Sequence, residues 1–264
     1  MSKKYEFTGE TKNYKGRVLH RIKRISDGLI GGWIEDERNL SHEGNCFVYH
    51  NAMVFDGARV YDNAKVFNKA RVFNKARVYG KATICGDAEV CGDTEVYDNA
   101  EVYDYARIFG YATVCDNVRV YNNAEVHGDA RVSGYAKVYG HAKVCGDTKI
   151  YGYARVHNNA EVFGYAEICD NARVFGNTRV YEGRIVGQIS QAYKDIFQHQ
   201  CKNRVLTTIL TEDDEILYSI GCQNNITKEV FLNRIHNEDG GLEENPHREE
   251  YLKLIPLIEQ YFKN

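Results

Sequence analysis

Four basic residues keep one interval: Arg119, Lys137, Arg155 and Arg173 follow one another at steps of eighteen. On a regular repeat fold, side chains at a constant interval share one line, and four cations on a line make a receptor for phosphates, carboxylates or an acidic protein surface. Tyr135 and Tyr153 keep the same interval and precede Lys137 and Arg155 by two, which puts an aromatic edge beside the cations. The plainer alternative is a solvated basic face.

Other chemistry-bearing residues give less. His127, His141 and His157 each replace another residue in its slot of the repeat described below. Cys85, Cys91, Cys115, Cys145 and Cys169 all share one slot, and those on a common face lie three coils apart. At the spacing of stacked strands that separation is roughly 14 Å, well beyond the reach of a disulfide. The thiols are therefore expected to be reduced, and the compartment cytoplasmic. No spacing nominates a metal site, a phosphate loop, a cofactor or a catalytic residue. A formal net charge of -3 gives no strong signal for double-stranded nucleic acid, and no apolar run is long enough for a membrane span.

The elements that must position these residues are written plainly. From Ala52 to Thr178 a small residue recurs every six positions over 22 hexads without an insertion, only Thr94, Val118, Thr148 and Thr178 replacing alanine. Two residues on comes Val or Ile, so the alanine and the aliphatic share one face of a short strand and the charge between them takes the other. Two further on, from Asp56 to Gly176, stands Gly, Asn or Asp, the types that tolerate positive φ and can turn a corner. Each hexad is a strand and a corner; three make a triangular coil, and coils stack in parallel. Three valines and three alanines per coil fill the interior, so sites must lie outside or at the ends.

These hexads resemble the left-handed parallel β-helix of hexapeptide-repeat proteins, in the "A-x-V-x-G-x" variant of bacterial and prophage genomes. The segments "GGWIEDERNLSHEGNCFVYHNA" and "NPHREEYLKLIPLIEQYF" resemble the ends of phage members. The expected fold is an all-β solenoid, a left-handed parallel β-helix of about seven to eight coils with a small C-terminal α+β domain. The resemblance also implies an alternative function, since many hexapeptide-repeat proteins are acyltransferases with a histidine base at a subunit interface and a projecting substrate loop. No loop interrupts these hexads.

The expected organisation is an N-terminal cap over 1–45, the shaft over 46–188, and an oligomerisation or recognition domain over 189–264. In the cap, "RVLHRIKRI" is a strand, Gly31-Gly32 a turn, and Trp33 a plug for the first coil. Beyond the shaft, Ile189 to His199 reads as a helix, "RVLTTIL" and "EILYSIGC" as a hairpin, and about Thr227 to His236 as a helix before a final one. Arg204, Gln223, Asn245, His247, Arg248 and Tyr251 sit near predicted element ends, where ligand contacts concentrate. Outside the shaft, the residues after Ala52 and Ala58 begin two more columns. One alternates sign, from Arg71 and Glu89 to Arg179; the other is mixed, from Arg59 to Glu167. The reading is a non-enzymatic binding or scaffold protein, homo-oligomeric, taking a host protein or an anionic nucleotide-like ligand. Phage resemblance implies interference with host defence or other machinery.

Overall fold

A computed structural model of the chain describes residues 3–181, 183–185, 188–189, 193–201, 204–211, 214–220, 223–236 and 248–263. From Phe47–Val48 onward each hexad forms a two-residue strand, the charge followed by the aliphatic, and strands pair in parallel at steps of eighteen residues through most of the shaft. The result is a parallel β-solenoid of about eight turns with three sheets. Every corner position from Asp56 to Gly176 adopts positive φ, from 55° at Asp98 to 85° at Gly92. Strand and corner are thus set by residue type at one-hexad resolution.

The alanines and aliphatics of the hexads are fully or almost fully buried in one continuous core. Three hydroxyls replace alanine there. Thr178 Oγ1 donates to the Phe175 carbonyl at 2.6 Å, whereas Thr94 and Thr148 keep buried hydroxyls without a protein partner.

At the N-terminal end paired strands cover the edge of this core, and at the C-terminal end a separate sheet packs against it. At the N-terminal end, Tyr5–Tyr14, Arg17–Arg24 and Ile30–Ile34 form an antiparallel meander, and the last of these pairs in parallel with Met53–Val54. Tyr5 is buried and its hydroxyl donates to the Leu40 carbonyl at 2.8 Å. Asn39 is buried too, donating to the Ala58 carbonyl at 2.8 Å and accepting from the Glu35 and Asp36 amides. At the other end Tyr193–Cys201, Arg204–Thr211, Ile216–Ile220 and Gln223–Thr227 form an antiparallel sheet. Ile209 and Leu217, register partners in that sheet, join the core of the shaft. Leu206 and Tyr218 instead join the core formed with helices α1 (Lys228–His236) and α2 (Arg248–Tyr261).

Three local expectations are corrected. The segment expected as a helix from Ile189 to His199 is strand: Gln188–Ile189 adds to the shaft and Tyr193–Cys201 pairs along its length with Arg204–Thr211. Cross-strand pairing overrides the helix-compatible local sequence. Gly31 and Gly32 lie inside a strand, because a Cβ on Gly31 would stand 2.7 Å from the Val48 oxygen and one on Gly32 2.5 Å from the Ala52 oxygen. The turn before it is made by Gly28 at φ 74°. Trp33 packs with Leu19, Met53 and Phe55 on the outside of the sheet, and Ile22, Ile34, Leu40 and Phe47 reach the inner core.

Candidate functional site

Stacking converts hexad chemistry into columns, and the three faces differ in how their charges are matched. On the first, Glu89 sits between Arg71, which it pairs closely, and Arg107 at 3.6 Å. Arg107 in turn reaches Glu125 at 2.9 Å, and Arg179 reaches Glu161 at 3.1 Å. On the second, Arg77 pairs with Glu95 at 2.6 Å and Lys149 with Glu167 at 3.2 Å. Neighbouring carboxylates thus serve many of the cations on these two faces.

The second face also sets Arg59 against Arg77 and Arg131 against Lys149, and the third carries a longer run of like charge. Its register runs Lys65, Thr83, Glu101, Arg119, Lys137, Arg155, Arg173, each the Cα partner of the next. Glu101 meets Arg119 at 3.1 Å. Beyond it, Lys137, Arg155 and Arg173 have no ion pair among the described residues. Like charges directly opposite on a sheet repel, so shaft stability does not select this run.

Aromatic rows flank it on both sides. Tyr135 and Tyr153 stand on the corner before Lys137 and Arg155, 52% and 60% exposed, with rings 5.0 Å apart and 9° from parallel. On the other side, two residues after Glu101 and after each of the four cations, Tyr103, Tyr121, Tyr139, His157 and Phe175 form a half-buried stack. Its successive centroids lie 4.9, 4.9, 4.7 and 5.4 Å apart. Burial pushes the Tyr103 and Tyr121 phenols above the usual range, so they remain neutral donors, although nearby Arg119 pulls both the other way. The face therefore carries a row of cations between rows of ring edges and hydroxyls. It is suited to accepting anionic oxygen atoms.

Sequence reasoning named the cations and the corner tyrosines of this face, and the register joins all six. It did not set Tyr121 and Tyr139 beside the cations, which they border and which the same eighteen-residue interval shifted by two reaches. The ladder rings are half-buried by stacking, and the most exposed rings are corner residues such as Tyr165.

Of the C-terminal candidates, Arg248 and Tyr251 have described side chains. Arg204 and Gln223 open their strands, and their side chains, with Asn245 and His247, lie outside the described residues. Arg248 is exposed at the start of α2 and donates to His236 Nδ1 at 2.9 Å. Tyr251 is a core residue, 3% exposed and facing Phe231, so it is corrected from a ligand candidate.

Of the three repeat histidines two are packed into ring stacks, and His141 is exposed on a corner. His127 stacks on Phe109 at 4.5 Å and burial holds its pKa below the ordinary value. His157 lies between Tyr139 and Phe175. Cys46, Cys85, Cys91, Cys115, Cys145 and Cys169 are free thiols, with Cys46 and Cys169 buried. Among the described residues no helix is long and apolar enough to cross a membrane, and no group of three His, Cys, Asp or Glu side chains could hold a metal ion.

Residues 166–182, in the last coils of the shaft, match the family model of the YdcK β-solenoid repeat. No curated protein matches the chain. With three in-register sheets, a positive-φ residue at each hexad corner and that repeat match, the chain is a hexapeptide-repeat parallel β-helix protein.

Proposed function

We propose that the chain is a non-enzymatic binding scaffold whose shaft holds Arg119, Lys137, Arg155 and Arg173 in line for an anionic partner. One observation carries this reading: four cations stand in unbroken register from Arg119 to Arg173, the last three without an ion pair among the described residues, whereas the first column alternates in sign and the second runs no more than two cations together. Acyl transfer through His127 or His157 draws less support than binding, because a general base must reach the proton it removes and both are packed within ring stacks, which leaves the exposed corner residue His141 as the one accessible base among the three. The resemblance to phage proteins directs the search for the partner to acidic host proteins and nucleotide-type signals, with counter-defence as the role.

The test is retention of the purified protein on immobilised heparin and polyglutamate at low salt. R155E/R173E is expected to elute with a folded control protein of similar net charge. Unchanged retention of that variant overturns the reading. Native mass spectrometry of freshly purified protein identifies any ligand that accompanies it.

A further inference from the structure

Building on the anion-binding reading, we propose that the partner of the basic face is an acidic β-sheet. Its strands run alongside the coils and present one carboxylate per strand. Two features of the face lead there.

The first is pitch. The cations are fixed one per coil, and the rings beside Arg119 to Arg173 record that spacing as 4.9, 4.7 and 5.4 Å, with 5.0 Å between Tyr135 and Tyr153. Neighbouring strands of any β-sheet lie about 4.7–4.9 Å apart, so an acidic column with one residue per strand stays in step along the whole row. An extended acidic peptide lying along the shaft repeats its same-side carboxylates at about 6.6–6.8 Å. By the fourth cation it would be out of step by roughly 6 Å. Duplex phosphates advance about 3.4 Å per step on each strand and drift the other way.

The second is ring orientation. Single-stranded nucleic acids bind by laying base faces on aromatic faces beside a basic track. Here the ladder rings are within 2° to 7° of parallel and turn their faces to one another along the shaft. Tyr135 and Tyr153 spend a face on each other in the same way. What the ladder offers outward is ring edges and hydroxyl donors, which suit carboxylates held on a flat, commensurate surface.

The shaft itself supplies the probe. K137E/R155E/R173E replaces the three unpaired cations with an acidic column of identical pitch, and leaves Arg119 beside Glu101. Like-charge neighbours in the column fall from the three steps between Arg119 and Arg173 to two, so the variant is no more strained than the parent. Sedimentation velocity and titration at low salt then compare three probes against the unaltered chain: this variant, an unstructured polyglutamate and an oligothymidylate.

The expected result is a salt-sensitive one-to-one complex with the glutamate variant, at least tenfold tighter than with either other probe, and no complex with K137Q/R155Q/R173Q. Equal or tighter binding of polyglutamate or oligothymidylate overturns the inference and leaves the anion-binding reading standing. Binding of no probe, or binding indifferent to R155E/R173E in the unaltered partner, overturns both. If the glutamate variant lacks the far-UV signature of the parent, K137E/R155E carries the same criterion.

Discussion

Lys137 and Arg155 are direct register partners on adjacent coils, a cation against a cation at the middle of a run of four from Arg119 to Arg173. A single charge reversal therefore separates stability from binding. R155E places a carboxylate between Lys137 and Arg173, and each new pair is expected to add about 0.2–1 kcal/mol. Thermal unfolding at low salt should move upward while retention on polyglutamate falls; a lowered midpoint would show that Arg155 has a structural role.

Two buried threonines in the alanine column should respond with opposite signs. Thr178 Oγ1 donates to the Phe175 carbonyl, so T178A is expected to cost about 0.5–1.5 kcal/mol. Thr94 has a buried hydroxyl without a protein partner, so T94V, which keeps the branched shape and removes the hydroxyl, should be neutral or stabilising by about 1 kcal/mol. Urea midpoints of the two variants, compared at equal slope, check the sign.

At the corners, Gly110 has φ 78°, and a Cβ there would stand 2.9 Å from the Gly128 nitrogen of the next coil. G110A is expected to cost about 1–2 kcal/mol from the left-handed backbone alone, and more from the contact. Gly9 has φ 88° with nothing within 4 Å of its Cβ position, so G9A should show the backbone cost only. Equal losses in both variants would mean that corner stacking contributes little.

The stacked tyrosines of the second face make the shaft sensitive to alkali. Burial, and then the Glu95 carboxylate, push the Tyr79 phenol up to about 12. Its stabilising effect is complete below the unfolded pKa of about 10 and is lost as pH rises through the folded value. Stability should fall between about pH 10 and 12. Y79F, which keeps the ring between Tyr61 and Tyr97, should flatten that fall in an ultraviolet titration combined with chemical unfolding.

The shaft was legible because every hexad carries its own strand and corner signal, and errors cannot accumulate over an interval that never varies. The basic column followed from that interval alone, from Arg119 to Arg173. What was not legible depends on contacts between distant segments. "YKDIFQHQC" becomes strand because Arg204–Thr211 lies beside it, and Gly31 and Gly32 are small because Val48 and Ala52 approach from the next layer. Tyr251 resembled a surface residue at a helix start until Phe231 was found against it.

The triangular coil also makes length and direction separate quantities. Excising eighteen residues from the shaft, such as 76–93, would shorten the distance from the N-terminal cap to the basic row by one coil and leave every side chain on its original face. Excising six would bring the row nearer by a third of a coil and swing it round the axis by a third of a turn. The shaft is a graduated ruler, and whole coils are the only increments that change its reach without changing its aim.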